Sequence, residues 1–224
     1  MISKSELSSI DQVPLHSDLI PHAVDGMIHH PLLIQLLPAD FTYINRLYSQ
    51  KLEKLEQAEA DCDWSKYVTL HEKPYRLNAL IAATGKGLGD SPDEFWTLLS
   101  SVWRGSENIY QYQAEWRLLW RSPIEGRQAC MSAEEAETFR SLPKQIEVWR
   151  GANYKNSIAG LSWTLNPRKA AWYARRFCSN HRSPFVARGY VSKRDVFAYF
   201  GGRDGNEIVT TQVSVISVCA VDVE

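Results

Sequence analysis

The sequence predicts an α+β protein: a mostly helical N-terminal region over residues 1–140, then a β-sheet core over residues 141–224, as two parts or one continuous domain. Three observations carry this reading. From Asp40 to Ser141, apolar residues recur at three- and four-residue steps, the period of a helix with one buried face. Past Pro143 the chain turns to short runs of Val, Ile, Tyr and Phe divided by Gly, Pro and Asn, as strands and turns require. Helices followed by strands, with no internal repeat, is the order of an α+β fold rather than of an alternating α/β one. At 224 residues the chain is long enough to bury about 70% of its unfolded surface.

Taken in order, residues 1–38 read as irregular, because prolines at 14, 21, 31 and 38 interrupt the apolar runs. The pair His29–His30 has no third ligand nearby and reads as ordinary surface or core histidine. From Asp40, Phe41, Ile44, Leu47, Tyr48 and Leu55 mark a helix whose later part, QKLEKLEQAEAD, is a solvated face. The stretch TGKGLGDS, Thr84–Ser91, lacks the GxxxxGK[ST] spacing of a phosphate loop and reads as a linker. Ser91-Pro92-Asp93-Glu94 is a helix start, followed by Trp96, Leu99 and Trp103 on one face. A second helical stretch, ENIYQYQAEWRLLWRS, carries Ile109, Tyr112, Trp116, Leu119 and Trp120. Such tryptophan stripes belong to a core or an interface far more often than to a cofactor site. Ser132 and Glu135 form a capping box for a short helix ending before Pro143.

In the second part, QIEVWRGA, GLSWT, PFVARGYVS, EIVT and QVSVISVCAVDV read as strands, with KRDVFAYF a less regular one. Asn166-Pro167 supplies an N-cap and a first-position proline for the helix RKAAWYARRF, and GGRDGN is a loop. The net charge of −1 conceals an asymmetry. Residues 1–149 carry 14 Lys/Arg against 21 Asp/Glu, whereas residues 150–224 carry 11 against 5. A basic block of this kind fits a phosphorylated cofactor, a nucleic acid, or the acidic part of the same chain. The four cysteines, Cys62, Cys130, Cys178 and Cys219, are scattered without a CxxC pair, and read as reduced, mostly buried thiols of a cytoplasmic protein with no metal site. The N-terminal stretch lacks the apolar core of a signal peptide, and no apolar run approaches the ~18 residues of a membrane span.

Three polar groups stand at strand ends in the basic part. Arg150 ends one strand and precedes Gly151; Ser162 and Thr164, two apart, share a strand face; Glu207 opens a strand behind the glycine-rich loop. In order, EVWRGA, GLSWTLNPRKAAWYARRF and DVFAYFGGRDGNEIV resemble the Arg–Ser–Glu, cholera-toxin-like branch of the ADP-ribosyltransferase superfamily. The likeness covers about the last third of the chain. It implies an ADP-ribosyltransferase-like mixed sheet in which NAD+ is a co-substrate and no metal is needed. Glu207 would be the carboxylate beside the ribose, Ser162 would orient it, and Arg150 would meet the phosphates and ribose of NAD+. Gly151 would admit the nicotinamide amide to the backbone, Thr164 would line the same strand face, and Tyr173 would wall the nicotinamide pocket. Trp163 would point away into the core.

The family members that modify protein arginine often carry Glu or Gln two residues before the catalytic Glu, where this chain has Gly205. Tyr199, Phe200 and Arg203 instead offer an aromatic and basic group suited to an RNA or DNA acceptor, with a protein acceptor the alternative. The resemblance thus implies a mono-ADP-ribosyltransferase of bacterial or phage origin, a toxin or defence effector, with an inhibitor or antitoxin as a further partner and no membrane. The same residues also allow an inactive nucleic-acid or protein binding module, or an NAD+ glycohydrolase with water as acceptor.

Overall fold

A computed structural model describes residues 13–107, 109–152, 158–176, 184–202 and 206–221, and the chain divides into two compact units between Asp90 and Ser91. The chain has the α+β class the sequence predicts: six of its seven described α-helices precede the six-stranded antiparallel sheet of the second unit. No helix of the described residues is long and apolar enough to cross a membrane.

The first unit begins with a part the sequence reading misses. Residues 23–36 form a three-stranded antiparallel sheet, β1 (Ala23–Val24), β2 (Met27–His30) and β3 (Leu33–Leu36), in that order. Asp25 and Gly26 both take positive φ, 49° and 76°, as a two-residue hairpin turn requires, and an Asp-Gly pair is the residue choice for it. The sheet buries Ile28 and Leu33 with Leu19, Leu32, Ile44 and Tyr48. Ile44 and Tyr48 lie on α1 (Thr42–Ala60), which is preceded by Asp40, whose carboxylate accepts from the Thr42 N–H and hydroxyl. Two more helices, α2 (Trp64–Leu70) and α3 (Arg76–Lys86), complete the unit. The TGKGLGDS stretch is the end of α3, a Gly87 cap at φ 132° and a short 3-10 turn, Leu88–Asp90.

His30 makes this unit acid-sensitive. Its Nδ1 accepts from the Leu32 N–H at 3.1 Å, and its ring meets His22 and Tyr48 edge-on at 4.7 and 5.0 Å. Burial first, then the neighbouring His22, draws its pKa down to about 4; His71 and His16 act in the same direction and Asp18 opposes them. A folded-state pKa below the unfolded value means that the unfolded chain binds the extra proton more readily. Stability is therefore lost as pH falls from about 6.5 toward 4, by about 1–2 kcal/mol after allowance for a partly exposed ring. Amide exchange across residues 28–48 should be faster at pH 5 than at pH 7, after correction for intrinsic rates. His30→Asn, which keeps an acceptor for Leu32, should flatten that difference.

The second unit opens with α4 (Pro92–Gly105), α5 (Gln113–Trp120) and α6 (Ala133–Ser141), the last begun by the Ser132–Glu135 capping box. The helical stretch read from Glu107 starts only at Gln113, after turns at residues 109–112. Four tryptophans, Trp96, Trp103, Trp116 and Trp120, are at most 1% exposed and meet at centroid distances of 5.0 to 6.1 Å. Trp103 meets Trp116 and Trp120 edge-to-face, and such pairs add to the burial they already provide. Strands β4 (Gln145–Ala152), β5 (Ser162–Thr164), β6 (Phe185–Ser192), β7 (Val196–Phe200), β8 (Glu207–Thr210) and β9 (Ser214–Ala220) form one sheet. Its order is β7-β8-β5-β4-β6-β9, every pair antiparallel, and α7 (Pro167–Arg176) follows β5.

The two faces of the sheet differ. One face buries Ile146, Val148, Trp163, Ala187, Tyr199 and Ile208, with Met131, Phe139 and Leu142 against them. On the other, Phe200, Glu207, Thr164 and Trp149 stand opposite one another across β7, β8, β5 and β4. The cysteines depart from expectation. Cys62 and Cys219 are exposed free thiols, and only Cys130 is buried, where desolvation pushes it up to about 12. The turn between α1 and α2 and the edge strand β9, not the core, receive the other two; Cys178 lies outside the described residues.

Candidate active site

The strand order makes neighbours of residues far apart in sequence. Central strands β4, β5 and β8 lie side by side, so Arg150, Ser162, Thr164 and Glu207 come together. Thr164 is directly opposite Glu207, and Ser162, two residues earlier, faces the same way. The Ser162 side chain hydrogen-bonds the Glu207 carboxylate. Thr164 is buried, and its hydroxyl accepts the Asn166 N–H at 3.0 Å, which turns the strand into α7. Asn166 then caps that helix, its side-chain oxygen accepting from Arg168 at 3.0 Å and Lys169 at 3.3 Å.

Arg150 closes the site from β4. Its Nη1 donates to the Ser162 carbonyl, and the guanidinium lies against Gly160. Burial lowers Arg150 to about 10, opposed by the Glu207 charge, so it remains cationic at neutral pH. A Cβ at position 160 would fall inside that guanidinium. Gly160→Ala should therefore displace Arg150 and cost about 1–2 kcal/mol. Because Arg150→Ala vacates the space, the double variant should lose less than the two single losses combined, as urea unfolding of the four proteins would show.

Glu207 is held from a second direction. Trp103 on α4 donates its indole N–H to Oε1 at 3.2 Å. Arg104, the next residue, pairs with Glu135 at 2.7 Å and lies over the Phe200 ring at 4.2 Å from its centroid. Phe200 is the β7 residue opposite Glu207. Burial pushes the Glu207 carboxyl above the ordinary carboxylate range; the hydrogen bonds from Ser162 and Trp103, and the charges of Arg104 and Arg150, act against it. Desolvation thus outweighs four stabilising neighbours.

Several expected site residues stand elsewhere. Gly151 has its own reason to lack a side chain: a Cβ there would collide with the Ala170 carbonyl and come within 2.6 Å of the Ala174 nitrogen of α7. Tyr173 is exposed on α7 beside Trp172, their ring centroids 5.0 Å apart. The Lys169 ammonium lies 4.3 Å from the Trp172 ring centre and 5.4 Å from that of Tyr173. Tyr199 and Phe200 are corrections. Both are buried, at 5% and 4% exposure, because they end a paired strand rather than entering the loop. The Tyr199 hydroxyl donates to Asn206 at 2.8 Å, and Phe200 sits beneath Arg104, so neither offers a face to a nucleobase. Arg203 lies outside the described residues. Trp163 is buried in the core as expected, its indole bonded to the Gly160 carbonyl at 3.1 Å.

Trp103, Arg104 and Gly160 are the site residues that sequence reasoning passes over. Trp103 carries only a helical-stripe signal, which it shares with three core tryptophans. Comparison of the chain with family models, curated proteins and solved structures finds no match.

Proposed function

We propose that the chain is a mono-ADP-ribosyltransferase acting on NAD+, with Glu207, Ser162 and Arg150 as the residues that carry the reaction. The observation that carries the reading is the Ser162–Glu207 hydrogen bond between adjacent strands, with Arg150 anchored to the same Ser162. The donor set suits the co-substrate: a desolvated carboxylate, fixed by neighbours, beside a cation that keeps its charge.

NAD+ supplies the bond to be broken, between nicotinamide and C1′ of the ribose, whose electron pair leaves with nicotinamide. The acceptor nucleophile forms the new bond to C1′ and gives up a proton. The Glu207 carboxylate stabilises the positive charge that develops on the ribose and holds a ribose hydroxyl. A fixed, desolvated carboxylate does this better than a solvated one, because it need not reorganise as charge appears. Ser162 keeps its orientation, and Arg150 ties β4 to β5 while countering negative charge on the co-substrate.

The acceptor is a macromolecule. The α7 surface, with exposed Trp172 and Tyr173 and the cations Arg168, Lys169, Arg175 and Arg176, supports a nucleic acid over a protein. Free thiols at Cys62 and Cys219 support a reducing, cytoplasmic setting. An effector or toxin role, with an inhibitor protein as partner, follows from the resemblance alone. Incubation with adenylate-labelled NAD+ and separate RNA, DNA and protein pools tests the reading. Label in one pool with release of nicotinamide is the expected result. Free ADP-ribose without a labelled pool would make it an NAD+ glycohydrolase, and no consumption of NAD+ would overturn the assignment.

A further inference from the structure

We infer that Trp103 is a positioning residue for Glu207, and that the end of helix α4 forms the second wall of the site. The inference rests on the functional reading only for its effect on turnover; the tie itself is a matter of geometry.

The indole is fixed before it meets the carboxylate. Trp103 is 1% exposed and stands edge-on to Trp116 at 5.0 Å and to Trp120 at 5.6 Å, so its ring has no room to turn. The N–H then falls 3.2 Å from Glu207 Oε1. Nothing general about the cluster forces this pairing. Its neighbours Trp116 and Trp120 keep buried indole nitrogens with no hydrogen-bond partner among the described residues, while Trp96 donates to the Glu125 carbonyl at 2.7 Å. Core filling alone would be met at position 103 by Phe; the indole adds a donor aimed at one oxygen.

The next residue reinforces the placement. Arg104, fixed by Glu135 and by the Phe200 ring, adds a positive charge from the same helix end. Glu207 is thus held between Ser162 within the sheet and Trp103 outside it. A donor fixed by packing opposes rotation of the carboxylate and favours its ionised form, which is the form needed beside a developing cation.

Trp103→Phe, in the full chain, tests this. Glutamate labelled with carbon-13 at the carboxyl position reports the Glu207 titration, assigned by the resonance that Glu207→Gln removes. The expected result is a Glu207 pKa about one unit higher in Trp103→Phe than in the wild type. Turnover of NAD+ at neutral pH should fall about tenfold to a hundredfold, with the acid limb of the pH–rate profile moved upward by the same interval. An unchanged Glu207 titration in folded Trp103→Phe would overturn the inference. If Trp103→Phe does not fold, the wild-type indole N–H signals serve: one of the eight should move as Glu207 titrates and be displaced in Glu207→Gln. No such movement would likewise overturn it. If the wild type consumes no NAD+, the functional reading fails, yet the titration still decides the Trp103–Glu207 tie.

Discussion

Glu207→Gln should retain the fold and lose NAD+ turnover by about a hundredfold or more. The amide keeps the size of the carboxyl, and its oxygen still accepts from Trp103 and Ser162. What disappears is the negative charge opposite the developing cation, and one fixed electrostatic partner of this kind accounts for about two to three orders of magnitude in rate. Stability should not fall with it. The folded-state pKa of Glu207 is raised, so the folded protein holds that proton more tightly than the unfolded chain. Its contribution is therefore lost as pH rises from about 4.5 through the folded value. Removing the ionisable group removes that loss, and Glu207→Gln should unfold at a urea concentration no lower than the wild type at pH 7. Equal turnover by the two proteins would exclude Glu207 from the chemistry.

Gly151→Ala should show the reverse, a loss of fold rather than of chemistry. A methyl group there meets backbone, the Ala170 carbonyl and Ala174 nitrogen, which unlike a side-chain end has no alternative rotamer. Either α7 lifts from β4 or the strand bends, and overpacking of this kind costs about 3 kcal/mol. The two residues of α7 that meet Gly151, Ala170 and Ala174, are both fully buried, in keeping with a close approach of helix and strand. Urea unfolding would measure the loss; a change below about 1 kcal/mol would mean that the helix shifts freely.

What the sequence discloses about this fold depends on how local the cause is. Strand β4 was legible to the residue, because an apolar alternation ends at a Pro143 breaker on one side. The α7 start was equally legible, since an Asn cap followed by Pro acts within three residues. The hairpin at Asp25-Gly26 had a clear signal that the surrounding prolines obscured. Tyr199 and Phe200 misled because glycines follow them, and only the pairing with β8 shows that they end a strand. The Trp103–Glu207 contact joins residues 104 apart and leaves no mark in either neighbourhood. Arg150, Ser162 and Glu207 could be grouped only by their order, and strand order within the sheet supplied the rest.

That strand order also sets when the site can form. β8 is the eighth strand in sequence yet lies between β7 and β5, inside the sheet. Glu207 therefore reaches Ser162 only after the chain has passed through α7, β6 and β7 and returned. During synthesis, a nascent chain ending before residue 207 contains Arg150, Ser162 and the whole tryptophan cluster, but no carboxylate to join them. Closure across so many residues is slow relative to forming any one helix. The interval between making the protein and making its site is thus built into the connectivity of the sheet.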